Sequence, residues 1–301
     1  MKKQKIVVIV GPTASGKTAL GIRLAKQFNG EVISADSRQV YRRLDIGTGK
    51  VTKREMAGVK HHMLDVASPR RVFSAGDYVK AARRSIDDIS RRGKLPIVVG
   101  GTGFYIDALV GRISLPEVSP NPELRAHLHK KSAAQLYALL KHKDPVRARA
   151  MATPSERNNK VRLIRALEIA HTLHHTKNIK DGPLYEVLWL GIRPIDTELR
   201  TRINKRLVQR LKIGMAAEAT RLHKAGLSYK RMLELGLEYR SLARLLQGKI
   251  TKPELVAELQ RDIWRYARKQ LGYWKRNGDI HWFKPVQRTA IEREVKRWLQ
   301  K

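Results

Sequence analysis

The sequence predicts an α/β protein: a parallel sheet flanked by helices, with an all-helical insertion domain and a basic helical C-terminal region. Three observations carry this. Over the first hundred residues, short β-branched runs alternate with stretches of helical spacing. Between 118 and 180 only helical spacing is found, and beyond Asp196 the chain is helical and dense in Lys and Arg. Strand, helix, strand, helix, strand calls for parallel pairing through right-handed crossovers.

The elements follow in order. Lys5 to Val10 is a β-branched run bounded by Gly11-Pro12, which suits a buried parallel strand. Thr18 to Phe28 carries Leu20, Leu24 and Phe28 at helical spacing and stops at Asn29-Gly30. Glu31 to Ser34 is a second strand leading to Asp36, and His62 to Val66 a weaker third. Asp77 to Arg92 is helical, and Leu95 to Val99 is a fourth strand ending in Gly100-Gly101-Thr102-Gly103. Asn121-Pro122 and Asp144-Pro145 each read as a helix cap with proline in the first turn, and Val161 to Leu173 as a further helix. A polar loop is expected near 176–186, then a strand from Val187 to Ile192 that returns to the sheet. Glu254 to Arg276 reads as one long amphipathic helix. The expected domains are therefore 1–117 and 181–301, the two parts of the core, and 118–180, the insertion.

Composition bounds the function. The 301 residues hold no cysteine, which excludes a disulfide framework, thiolate metal sites and a cysteine nucleophile. The apolar run at Ile6–Val10 is far too short to span a bilayer, so a soluble, intracellular protein without a membrane partner is expected. Lys and Arg number 62 against 27 Asp and Glu, a formal net charge of +35. Such a surplus costs self-repulsion unless a polyanion neutralises it, and RNA or DNA is the usual one. The rival explanation is a proteome biased toward basic residues.

Gly11-Pro12-Thr13-Ala14-Ser15-Gly16-Lys17-Thr18 fits the phosphate loop G-x-x-x-x-G-K-[ST], set between a strand and a helix as it must be, so the sheet is expected to be P-loop NTPase-like. Glycines let successive N–H groups curl around an oxyanion, the helix N-terminus adds its dipole, Lys17 supplies a charge, and Thr18 offers a hydroxyl to Mg²⁺. A hydrolytic NTPase would carry an apolar strand ending in Asp to hold its metal. Here the best such strand ends in Gly-Gly-Thr-Gly instead. Asp36 stands at another strand end, with three readings open: metal ligand, general base or turn cap. Thr102 either binds substrate or closes its turn. His61-His62 reads as structural or phosphate-contacting. Arg157, Lys160, Arg162 and Arg165 cluster at one helix start, and Arg261, Arg265, Arg268 and Arg276 form a stripe of nearly one sign, read as contacting phosphate backbone.

The phosphate loop, Asp36-Ser37-Arg38-Gln39-Val40-Tyr41, Leu44-Asp45-Ile46-Gly47-Thr48, His61-His62-Met63-Leu64-Asp65 and Gly100 to Ile106 together resemble the tRNA dimethylallyltransferases, bacterial type. Arg162 to Glu168 and Tyr266 to Gln270 look like later blocks of that family, so the resemblance spans nearly the whole chain. It implies transfer of a dimethylallyl group from its diphosphate to the exocyclic amine of adenosine 37, next to the anticodon of tRNA. The residues at 11–18 would then hold the diphosphate leaving group, Thr18 the Mg²⁺, Asp36 would be the general base and Thr102 would orient it. The target base would be flipped out of its stack. By the same resemblance Asp36, Ser37, Arg38, Gln39, Thr102, Arg125 and Val161, Arg162, Leu163, Ile164 and Arg165 fall where the family touches tRNA. A monomeric, cytoplasmic enzyme is implied. The rival activity is a P-loop NTPase or kinase acting with or on a nucleic acid.

Overall fold

A computed structural model of the chain describes residues 3–116, 118–172 and 184–301. Among these, six parallel strands form one sheet in the order β3-β2-β4-β1-β5-β6. They are β1 (Gln4–Val10), β2 (Gly30–Ala35), β3 (His61–His62), β4 (Leu95–Gly100), β5 (Tyr185–Ile192) and β6 (His281–Phe283). β1 is central: Val8 lies opposite Val98 of β4 on one side and Trp189 of β5 on the other. Ile6 to Val10 are fully buried, which is why this strand reads as a continuous apolar run and not an alternating one.

The chain divides into two compact units, Met1–Ile113 with Gly182–Lys301, and Ser114–Asp181. In the first, α1 (Lys17–Gln27), α2 (Lys53–Met56), α3 (Ala75–Arg91) and α4 (Gly103–Leu109) connect or follow the first four strands. The second holds α5 (Pro122–His129), α6 (Ala133–Lys143), α7 (Pro145–Ala150), α8 (Pro154–Arg157) and α9 (Lys160–Thr172). Asn121 caps α5 by accepting from the Leu124 N–H at 2.9 Å, and Asp144 caps α7 by accepting from Arg147 N–H at 2.9 Å. Leu128, Leu136, Leu140, Leu163 and Leu167 form the core of this unit. The chain continues from β5 into α10 (Asp196–Lys212), α11 (Met215–Lys224), α12 (Tyr229–Leu235), α13 (Leu237–Leu246) and the long α14 (Lys252–Trp274). After β6 it ends in α15 (Arg288–Leu299).

The parallel sheet with flanking helices is the predicted fold class. Two details differ from the sequence reading. The third strand is two residues long, because Met63 and Asp65 take positive φ and break the extended backbone. β6 was not anticipated: it is three residues at an edge and mostly exposed, so no apolar run announces it. The polar loop expected near 176–186 and the last helical residue, Leu173, lie largely outside the described residues.

Candidate active site

The site forms at the carboxyl ends of β1, β2 and β4, where an open parallel sheet presents its loops. β1 runs into Gly11, whose φ is +143° and whose missing side chain matters: a Cβ there would lie 2.4 Å from the Ile192 carbonyl oxygen. Gly16, at φ +95°, precedes α1 and turns the chain into the helix. The loop between them is clipped from outside. Thr13 N–H donates to Gln270 Oε1 at 2.8 Å, and Gln270 Nε2 donates to the Gly101 carbonyl at 3.0 Å. One buried amide from α14 thus ties the phosphate loop to the end of β4.

Asp36 follows β2. Its Oδ1 accepts from the N–H groups of Arg38 (2.8 Å) and Gln39 (3.2 Å), so the carboxylate caps its own turn. Oδ2 makes no hydrogen bond among the described residues, and Asp36 lines the cavity described below. Thr102 sits behind the turn, with its hydroxyl accepting from Ser37 N–H at 3.0 Å. Burial and the nearby Asp36 charge push the Tyr266 hydroxyl upward, while a hydrogen bond with Thr102 works against them.

A cavity of about 600 Å³ joins these parts. One wall is cationic: Lys17 on the loop faces Arg202, Lys205 and Arg206 of α10. Burial first, and Arg206 second, lower the Lys17 pKa to about 7, with Asp36 pulling the other way. Arg206 is itself pushed down by burial and by Arg210. The other wall is apolar, built from Ile22, Val32, Val51, Leu64 and Val99. His61 borders it. Its Nδ1 lies 2.9 Å from the Val59 carbonyl, its Nε2 is buried without a partner, and burial lowers its pKa.

The segment Leu44–Lys50, which contributes Thr48 and Gly49 to the cavity, is clamped on both sides of its backbone. Glu218 of α11 accepts from the N–H groups of Asp45 (3.0 Å), Ile46 (2.7 Å) and Gly47 (2.9 Å), and from the Tyr239 hydroxyl at 2.7 Å. Arg210 donates to the Gly47 carbonyl and Arg206 to the Gly49 carbonyl, both at 2.7 Å. The Arg206 that faces Lys17 is therefore positioned by the loop it helps to hold.

A model of the IPP transferase family matches residues 39–277. The chain is 37% identical to the tRNA dimethylallyltransferase of Bacillus licheniformis, over 97% of this chain and 94% of that protein. The chain belongs to the IPP transferase family. Its fold agrees: the crystal structure of a tRNA isopentenylpyrophosphate transferase from Bacillus halodurans superposes with a TM-score of 0.73 at 35% identity, covering 99% of this chain and 96% of that one. A eukaryotic dimethylallyltransferase acting on tRNA superposes with a TM-score of 0.80 over 98% of this chain and 77% of its own; at 24% identity that likeness concerns the fold.

In this IPP transferase, Thr13, Ala14, Ser15, Gly16, Lys17 and Thr18 all line the cavity with Asp36 and Gln39. Gly11 and Pro12 shape the loop without lining it. Thr102 stands one layer back, through Ser37. The residues expected at tRNA in the helical unit divide sharply. Val161 and Arg162 are exposed, but Leu163 and Ile164 are buried in that unit's core, so their side chains are not surface contacts. Arg125 and Arg165 are held by the buried Glu168: Arg125 donates Nε to Oε1 at 2.7 Å and Nη2 to Oε2 at 2.8 Å, and Arg165 donates to Oε2 at 3.2 Å. In the C-terminal stripe Arg265 pairs with Asp262 at 3.4 Å and Arg268 with Asp196 at 3.1 Å. His62 is structural, 2.7 Å from the buried Glu31.

Sequence reading missed the α10 cations and Gln270. A signal existed for the former: Arg202, Arg206 and Arg210 recur every fourth residue, offset from the buried Leu199, Ile203 and Leu207.

Proposed function

We propose that this chain transfers a dimethylallyl group from dimethylallyl diphosphate to the exocyclic amine of adenosine 37 in tRNA. The observation that carries the reading is one cavity with three chemistries: a cation-lined phosphate loop, an apolar wall, and a carboxylate with one oxygen uncommitted. The amine nitrogen attacks C1 of the donor as the C1–oxygen bond breaks. The amine proton passes to Asp36 Oδ2, and the diphosphate departs onto the loop N–H groups, Lys17, Arg202, Lys205 and Arg206. Concentrating charge where the leaving group develops it is the larger catalytic contribution, and a positioned carboxylate adds the proton transfer. The N–H groups of Arg38 and Gln39 fix which Asp36 oxygen is open, and Thr102 holds the turn through Ser37. The apolar wall suits a five-carbon prenyl tail.

Mg²⁺ fits this donor set. The Thr18 side chain is exposed and lines the same cavity as Asp36, so its hydroxyl is open to a cation held with the diphosphate. Mg²⁺ is commonly held by one or two protein oxygens plus substrate phosphates and water. When bound by Thr18 and the diphosphate it would supply charge neutralisation of the leaving group. No helix among the described residues is long and apolar enough to cross a membrane. With tRNA as substrate, the expected workplace is the cytoplasm.

The test is incubation with tRNA and labelled dimethylallyl diphosphate, and separately with ATP. Label entering tRNA without nucleotide consumption is expected. Nucleotide-dependent turnover with no prenylated tRNA would overturn the reading. Asp36→Asn should lose transfer while retaining tRNA binding; retained transfer would remove Asp36 as the base.

A further inference from the structure

α4 inverts the usual rule of burial. Its residues Gly103, Tyr105, Ile106, Asp107, Ala108 and Leu109 are all buried, and the one exposed position is its aromatic Phe104, 46% accessible. A single exposed ring is ordinary on a protein surface, so its meaning comes from its neighbours. Its place in the fold narrows the partner. Phe104 lies two residues after Thr102, whose hydroxyl braces the Asp36 turn. The Tyr273 ring packs on Gly103 so closely that a Cβ there would lie 2.1 Å from a ring carbon. The Arg276 guanidinium lies 3.9 Å from the centre of that ring. Arg38 sits on the turn that Thr102 braces, its N–H donating to Asp36 Oδ1 at 2.8 Å. Neither Arg38 nor Arg276 pairs with a carboxylate among the described residues, whereas Arg261, Arg265 and Arg268 all do.

An exposed ring on a helix whose start meets the Arg38 turn and Tyr273, with the Arg38 and Arg276 charges paired to no carboxylate among the described residues, offers what single-stranded RNA recognition requires: a π-face for a base and cations for the backbone. We propose that Phe104 is a stacking platform for the loop nucleotide adjacent to the target adenosine. This rests on the reading of the site as a tRNA prenyl transferase. Flipping the adenosine toward Asp36 strips its neighbour of a stacking partner. Phe104 replaces that partner, and Arg38 and Arg276 hold the flanking phosphates. Because every base has a π-face, the contact tolerates sequence and secures the flipped geometry without choosing the tRNA.

The experiment uses the full chain and an anticodon stem-loop RNA carrying 2-aminopurine on either side of the target adenosine. Phe104→Ala should raise KM for the stem-loop about 5- to 100-fold, as expected for one lost base–aromatic contact. KM for dimethylallyl diphosphate should stay within about twofold, since Phe104 does not line the donor cavity. The wild-type protein should quench one of the two 2-aminopurine probes, Phe104→Ala should not, and Phe104→Trp should restore both quenching and KM. Because the side chain is exposed, the thermal midpoint of each variant should match wild type. Phe104→Ala with unchanged stem-loop KM and quenching overturns the proposal, as does Phe104→Trp behaving like Phe104→Ala. Loss of self-association in Phe104→Ala with unchanged stem-loop KM would overturn it too, by assigning the ring to a protein interface. If the wild-type protein neither binds nor prenylates the stem-loop, the underlying reading fails instead.

Discussion

Glu218→Gln probes the clamp on Leu44–Lys50, and its cost follows from the geometry. The carboxylate accepts four hydrogen bonds, two per oxygen, from three backbone N–H groups and the Tyr239 hydroxyl. Glu218 is 4% exposed, so water cannot replace a lost acceptor. In glutamine one oxygen becomes an NH₂ that faces two donors. The better orientation sets that NH₂ against the Tyr239 hydroxyl, which can rotate to accept, and leaves the Gly47 N–H orphaned. An orphaned buried donor costs roughly 1–3 kcal/mol, and loss of charge assistance weakens the remaining bonds to about half. The expected destabilisation is about 3–4 kcal/mol by urea unfolding at pH 7. Tyr239→Phe, which removes one donor and leaves the charge, should cost about 1–1.5 kcal/mol. The clamp also positions Arg206, so Glu218→Gln should raise KM for dimethylallyl diphosphate with KM for tRNA little changed. A stability loss below about 1 kcal/mol, or one no larger than that of Tyr239→Phe, would refute the reasoning.

Three further outcomes are expected. Lys17, lowered to about 7 in the folded protein, should take up a proton when diphosphate binds at pH 8 and almost none at pH 6, read by calorimetry in buffers of different ionisation enthalpy. The unfolded state binds more protons above pH 7, so the cost of this lysine to folding is full below pH 7 and fades as pH rises; Lys17→Met should therefore exceed wild type in urea midpoint at pH 6, with the gap closing toward about pH 10. Glu31 is held well below the usual carboxylate range, chiefly by its hydrogen bond from Arg92, so it stabilises the fold above its unfolded pKa and less as pH falls. Glu31→Gln should cost about 3 kcal/mol at pH 7 and progressively less below about pH 4, and a gap independent of pH would refute the pairing. Affinity for tRNA should fall steeply between 50 and 200 mM salt, by about three to five decades if 6–10 phosphates are neutralised as on a duplex and less on a single-stranded loop; a flat response would return the +35 charge to composition alone.

Much of this was legible in the sequence where the signal is local. β1, β2, β4 and β5 carry apolar runs buried on both faces, and the phosphate loop carries its own spacing. β6 was not legible, because a parallel edge strand of three residues needs only a partner, not an apolar pattern. Glu218 is one acid in a basic helix, and its acceptor role exists only once a loop 171 residues away in sequence meets it. Gln270 sits inside a recognisable block, yet its two bonds span 257 and 169 residues. Leu163 and Ile164 show what a motif leaves undecided. A motif gives the stretch that matters, but helical phase decides which of its side chains face inward.

The cation wall has a cost at the end of the cycle. On the proposed reading, Lys17, Arg202, Lys205 and Arg206, which line the cavity, would grip the diphosphate no less once it is free than while it is leaving. If letting go is the slower step, the first turnover should appear as a burst of labelled tRNA equal to the enzyme present. The steady pace would follow the escape of an inorganic ion, not the making of a carbon–nitrogen bond. Neutralising Lys205, which faces the cavity from α10, should shrink that burst and lift the steady rate if escape sets the pace, and lower both if chemistry does.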